Sequence, residues 1–259
     1  MALVRDEALE RSSVVANCAM NRERGLSGSN GYARELGLDP LAELLGRLAR
    51  TTGPVRWLDL CCGSGRALFQ AAERLAATGL ADRVRIVGVD LVDHFVPGSG
   101  VDLVTASVTG WAPPAGQVFD LVTCVHGLHY VGDKLLALRR AASWLAADGV
   151  FAASFDATSV RDEAGAPVGR RLTAALRSAG FGYDTRNRRI TRRGRADVTL
   201  PFAYLGADDA AGPNYTGQPA VHSHYVSTAT GSGPSASRTA TALNPQAALP
   251  DQPAQVPGR

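Results

Sequence analysis

The chain has 259 residues, a net charge of +3, 45% hydrophobic and 20% charged residues. That length allows one domain or two small ones with a real core, and so small a charge singles out no polyanionic partner. No window approaches the ~20 apolar residues of a membrane span, and Asp6, Glu7 and Glu10, with no apolar run behind them, are unlike a secretory signal.

Residues 1–53 read as a helical or lid segment. Gly25, Gly28 and Gly31 loosen its middle, and Asp39 and Pro40 then open a helix as N-cap and first residue. Leu41, Leu44, Leu45 and Leu48 give that helix one apolar face. Val55–Leu60 is an apolar run that reads as a buried strand. A tight loop with Gly63 and Gly65 follows, and an amphipathic helix runs from Arg66 to about Thr78, closed by Gly79. Strand, glycine loop and helix N-terminus are how an α/β sheet opens a nucleotide site. A dinucleotide fingerprint would place a third small residue where Leu68 stands. The strand also ends on an acid, Asp59, which suits a ligand with a positive group and repels a pyrophosphate.

Arg83–Asp90 alternates and ends on a second acid. Asp90 follows the glycine loop at about the spacing (~20 residues) at which a carboxylate meets a ribose. Pro97, Gly98 and Gly100 leave room for only a short helix before the third strand, Val101–Val108. Trp111 either flanks a bound base or plugs the core, and Pro113–Pro114 stop any helix. The fourth strand, Phe119–Val125, runs into His126-Gly-Leu-His-Tyr130. In open α/β sheets ligands lie beyond the carboxyl ends of the strands, so His126 and His129 are candidate proton acceptors or orienting groups. No third ligand follows at metal spacing, and no metal is expected.

A helix over Gly132–Leu145, a turn at Asp148–Gly149, a fifth strand over Gly149–Phe155 and a helix from Arg170 to about Ala179 come next. Two strands, Tyr183–Ile190 and Asp197–Leu205, turn near Gly194 and suggest an antiparallel hairpin. It carries Arg186, Arg188, Arg189, Arg192, Arg193 and Arg195. These read either as a solvated edge or as a nucleic-acid surface, and the rest of the chain is not basic. From Gly206 onward the composition turns to Ala, Gly, Pro, Ser and Thr. Residues 206–259 read as a largely disordered tail, with 214–225 either docked or a recognition arm. Cys18, Cys61, Cys62 and Cys124 contain no C-x-x-C, and neighbours do not form an ordinary disulfide, so they read as free thiols of a cytoplasmic protein.

The stretch Leu58-Asp-Leu-Cys-Cys-Gly-Ser-Gly65, the acid Asp90 and the Phe119-Asp-Leu-Val start of strand 4 resemble class I S-adenosylmethionine-dependent methyltransferases. Cys61 stands where that family's motif usually has its first glycine. The resemblance implies residues 54–205 as a doubly wound, seven-stranded, mostly parallel Rossmann-like sheet ending in an antiparallel hairpin. It implies S-adenosylmethionine as cofactor. Asp59 would hold the amino group, Cys61, Gly63 and Gly65 the methionine portion, and Asp90 the ribose. Ser107 and Val108, with Val125 nearby, would meet the adenine; the family commonly has an Asp where Ser107 stands. Tyr32 becomes a lid candidate and His126 or His129 the group that deprotonates or orients the acceptor. The acceptor expected is a small molecule such as a secondary metabolite, with a nucleic-acid substrate disfavoured. A non-catalytic cofactor-binding sensor, a nucleic-acid methyltransferase and a nucleotide-dependent oxidoreductase remain alternatives. The sequence is silent on oligomeric state.

Overall fold

The apolar residues of each central strand alternate between two layers, and that alternation builds the domain. A computed structural model describes residues 3–16 and 23–228; Cys18 and the predicted disordered stretch from 229 on lie outside them. In β1 (Val55–Leu60) Val55 and Trp57 face one layer, and Leu58 and Leu60 the other. In β4 (Phe119–Cys124) Leu121 opposes Phe119, Val122 and Cys124 in the same way. Strands buried on both faces need helices on both. On one side lie α3 (Tyr32–Leu36), α4 (Pro40–Leu48) and α5 (Arg66–Ala77), and on the other α6 (Lys134–Ser143) and α7 (Arg170–Ser178).

The seven-stranded sheet runs β3-β2-β1-β4-β5-β8-β7. β2 is Val84–Asp90, β3 Asp102–Thr105, β5 Leu145–Ser154, β7 Gly182–Asp184 and β8 Arg189–Arg193. The first five strands pair in parallel, and β8 joins β5 and β7 antiparallel. This is the doubly wound sheet with an antiparallel end that the sequence predicts. The order reverses between β1 and β4, so the carboxyl ends of β1, β2 and β4 open a crevice there.

Four expectations need correction. The third strand stops at Thr105, so Ser107 and Val108 sit in the loop after it. Asp148–Gly149 is no turn; β5 runs through it, and the irregularity appears as a register shift against β4. The hairpin is β7–β8, contained within 182–193, and residues 197–201 form no strand. Most importantly, 206–228 is no disordered tail. β9 (Phe202–Asp208) and β10 (His222–Ser227) form a second sheet with β6 (Val160–Arg161), in the order β6-β10-β9.

The sole lysine explains why so polar a segment is ordered. Lys134 is buried at the start of α6, and its Nζ donates to Val131 O (2.9 Å), Val221 O (2.9 Å) and Ser223 Oγ (2.8 Å). Tyr225 completes the join, its hydroxyl donating to Asp133 Oδ1 (3.0 Å) while accepting from Leu135 N (3.1 Å). Burial lowers the Lys134 ammonium to about 7. β9 in turn seats α1 (Asp6–Glu10), through a Val4–Ala207 bridge and a Tyr204 hydroxyl donated to Asp6 Oδ1 at 2.9 Å. No helix among the described residues is long and apolar enough to cross a membrane. Replacing Lys134 by Met keeps the aliphatic stem but leaves two buried carbonyls and a hydroxyl without their donor. Urea denaturation should show a loss of about 1–3 kcal/mol; an unchanged midpoint would mean that the Lys134 bonds do not hold β10.

Candidate functional site

The site begins with backbone conformation. β1 leads into Cys61, whose φ of +56° is unusual for a residue with a side chain. Gly63 and Gly65 follow at φ +61° and +75°, so the loop needs left-handed backbone at three places in five residues. Gly65 is the N-cap of α5. Asp90, at the end of β2, holds the loop in place: its Oδ2 accepts from Gly63 N at 2.8 Å and its Oδ1 from Val92 N at 3.1 Å.

Above this loop lies a cleft open to solvent. Cys61, Gly63, Asp90, Ser107, Val108 and Val125 all line it. The structure thus brings together six of the residues named from sequence. Leu91, Thr109 and Tyr130 extend the wall, and Asp6, Leu9, Glu10 and Val15 close it from the N-terminal side. Among the described residues lining the cleft, Asp6, Glu10 and Asp90 are acids and none is lysine, arginine or histidine. Such a lining favours a cationic ligand and opposes a pyrophosphate. Its donor set fits S-adenosylmethionine: a carboxylate for ribose hydroxyls, Val108, Leu91 and Val125 as apolar faces for a base, and acids for a ligand bearing ammonium and sulfonium charges.

Two expected contacts are absent from the cleft. Gly65 packs inward, where an added Cβ would meet Phe69 at 3.3 Å and Leu103 at 3.4 Å. Asp59 is wholly buried beneath the loop. Its Oδ2 accepts the Tyr32 hydroxyl at 2.7 Å, and its Oδ1 accepts from the Thr123 hydroxyl, which also takes the Trp57 Nε1 hydrogen at 2.8 Å. Both oxygens already have protein donors, so Asp59 braces the loop from behind and does not reach the cleft. Tyr32 is likewise buried, an interior partner of Asp59 and Trp57 and no mobile lid. Trp111 lies edge-on to Trp144, half-buried against the core and outside the cleft lining.

The histidines form a neighbouring cluster. Gly127 and Tyr130 line the cleft, whereas His126 and His129 lie behind that turn and are nearly inaccessible. His126, at φ +59°, places its Nε2 2.8 Å from Glu35 Oε2. That hydrogen bond, with the charges of His126, Arg24 and Arg34, lowers the Glu35 carboxyl below its ordinary range despite partial burial. The Tyr215 ring covers both imidazoles, at 6.4 Å from His126 and 5.4 Å from His129. Arg188 lies over Tyr215, 4.1 Å from its centroid, and pairs with Asp156 at 3.7 Å. Glu35, Arg188 and Tyr215 were not candidates by sequence, since no local pattern brings residues 35, 126, 188 and 215 together. Of the hairpin arginines, Arg189 donates to the carbonyls of Glu35 and Arg34, and Arg192 to those of Ala179 and Gly194. With Arg188 over Tyr215, much of the basic run is committed internally.

Comparison with known proteins agrees with this geometry. Residues 30–189, more than half of the chain, match the methyltransferase-domain family. The chain belongs to that family. No curated protein matches it. Among solved structures it is similar to the N-methyltransferase NodS from Bradyrhizobium japonicum WM9 in complex with S-adenosyl-L-homocysteine. The identity is 17%, over 73% of this chain and 97% of that one, with a TM-score of 0.42. It is also similar to an amino pentose methyltransferase of calicheamicin biosynthesis from Micromonospora echinaspora, at 25% identity over 45% and 49% of the two chains and a TM-score of 0.32. A plantazolicin methyltransferase matches at 14% identity over 44% of this chain and a TM-score of 0.36; the match spans 43% of that chain, less than half its length.

Burial pushes the Asp59 carboxyl up to about 7, although the Thr123 and Tyr32 hydrogen bonds favour its charged form. An unfolded aspartate titrates near ~3.9, so between these values the folded protein binds the extra proton. The stabilisation is complete below about pH 4 and is lost as pH rises to about 7. Urea unfolding of wild type and Asp59→Asn should therefore diverge with pH. Relative to the variant, wild type should lose on the order of 2 kcal/mol between about pH 5 and about pH 8. A constant difference would refute the shift.

Proposed function

We propose that this protein is an S-adenosylmethionine-dependent methyltransferase acting on a small-molecule acceptor, with the cleft as its donor site. The observation that carries the reading is the charge of that cleft: three acids and no base around a glycine loop, with Asp90 at the second strand end. Bound there, S-adenosylmethionine supplies an electrophilic methyl group on a sulfonium. Asp90 would hold the ribose, the backbone of Cys61 and Gly63 the methionine portion, and Ser107, Val108 and Val125 the adenine. Asp59 acts through the loop it braces.

The chemistry asks the protein mainly to align two reactants and exclude water. Leu9 and Val15 cover one side of the cleft with apolar surface. The turn from His126 to His129 follows β4 directly, at the carboxyl edge of the sheet where a ligand's reacting end lies. A histidine there receives or orients the acceptor's proton. The internal commitments of Arg188, Arg189 and Arg192 support a small molecule over a nucleic acid.

Calorimetric titration with S-adenosylhomocysteine, beside NADH, tests the reading. Micromolar binding of the first is expected, weakened about tenfold or more in Asp90→Ala as its hydrogen bonds are lost, with no binding of NADH. Binding of NADH instead, or no effect of Asp90→Ala, would overturn the donor-site assignment.

A further inference from the structure

Asp59 lies beneath the cleft with no access to water, and the hydrogens around it suit one charge state. The Thr123 hydroxyl accepts the Trp57 Nε1 hydrogen at 2.8 Å, so its own hydrogen goes to Asp59 Oδ1. The Tyr32 hydroxyl, itself buried, donates to Oδ2 at 2.7 Å. Each carboxyl oxygen therefore already faces a hydroxyl hydrogen. A neutral carboxyl would have to donate a hydrogen of its own into one of these contacts and turn the existing donor away. The arrangement is that of a carboxylate. Nothing cationic offsets its charge. The side chains that act on it or feel it are Tyr32 from α3, Thr123 from β4, Cys62 from the loop and Asp90 from β2. The one charged side chain that acts on Asp59 is another acid, Asp90.

We propose that Asp59, kept as a carboxylate by Tyr32 and Thr123, is a specificity-determining residue that never touches the donor: its buried charge makes the cleft prefer the sulfonium of S-adenosylmethionine to the neutral thioether of S-adenosylhomocysteine. Tyr32 and Thr123 are positioning residues that act through it. The inference rests on the methyltransferase reading of the cleft. Its consequence concerns turnover: the product no longer carries the charge for which the site is tuned, and so leaves readily.

Position lets a residue outside the cleft do this. Asp59 precedes the cleft-lining Cys61 by two residues and pairs across β1–β2 with Gly88, two residues before the cleft-lining Asp90. Asp59 and Asp90 already feel one another's charge. With no water around Asp59 its field is weakly screened and reaches a ligand above the loop. The wall acids Asp6, Glu10 and Asp90 add a constant field of the same sign, whereas the contribution of Asp59 changes near neutrality. Burial pushes its carboxyl up to about 7 against the pull of the Thr123 and Tyr32 hydrogen bonds, with the Asp90 charge adding to the rise. The preference for the sulfonium therefore grows as pH rises through about 7, and a bound sulfonium in turn draws the carboxyl down.

The test is calorimetric titration of the full chain with S-adenosylmethionine and with S-adenosylhomocysteine across pH. The readout is the ratio of the two Kd values. In wild type the preference for S-adenosylmethionine should grow on the order of fivefold between about pH 6 and about pH 8. In Asp59→Asn it should stay constant relative to wild type; titrations of the ligands and of other residues are common to both proteins and cancel. Tyr32→Phe keeps the ring and removes one donor to the charged form, so the growth should move up by about one pH unit. Thr123→Val should move it the same way. Side chains that merely supported the fold would weaken both ligands alike and leave the pH of the change where it was. A ratio in wild type that ignores pH, growth that survives in Asp59→Asn, or growth unmoved in Tyr32→Phe and Thr123→Val would each overturn the proposal. If Asp59→Asn does not fold, the displacement in Tyr32→Phe decides. Binding of both ligands with one fixed ratio in every protein removes this inference and leaves the methyltransferase reading standing. Binding of neither removes both.

Discussion

A carboxylate with no access to water organises the centre of the molecule. Asp59 ties together Tyr32 from the N-terminal segment, Thr123 from β4 and, through Thr123, Trp57 of its own strand. Burying such a group is tolerable only when its oxygens are satisfied. The demand therefore fixes where α3 lies, how β1 sits against β4, and the path by which β1 leaves the sheet into the glycine loop. Cys61, two residues on, takes up left-handed backbone, and the cleft opens above it. What looks in sequence like a ligand contact is a brace under the contact surface.

Two electrical environments then lie on either side of the His126–His129 turn. The cleft is lined by Asp6, Glu10 and Asp90, whereas in the histidine cluster Glu35 is paired with His126 and Arg24, and Asp156 with Arg188. The division also separates two parts of the chain. Residues 30–189 carry the family match, whereas Tyr215 and β10 lie beyond it and supply the cover of the cluster.

Much of the cleft wall was legible because its signals are local. An acid at a strand end, glycines in a loop and alternation within a strand each declare themselves within about ten residues. Asp90, Gly63 and Val125 were read that way, and all three line the cleft. The misread parts depend on distant partners or disguised turns. Tyr183–Ile190 reads as one strand because its turn uses Arg188 at φ +50° and an Asp184–Asn187 hydrogen bond, not a glycine. β10 carries Ser223 and His224 in the interior, which no hydrophobic pattern announces. Only the buried Lys134 makes that polar strand affordable. The Asp59 brace was invisible for the same reason: Tyr32 and Thr123 meet it only after the fold has formed.

The seat of α1 on β9 has a consequence for the order in which the protein matures. Val4 bridges to Ala207 and Asp6 receives the Tyr204 hydroxyl, so α1 waits on a strand made much later than itself. Domains form as their chain emerges during synthesis, and contacts between such distant segments close late. The parallel sheet and its glycine loop can assemble as soon as residue 193 is available. The N-terminal wall of the cleft has no support until β9 has left the ribosome. A nascent chain thus carries the glycine loop for some time before its cleft is walled on the N-terminal side, and that wall arrives with β9.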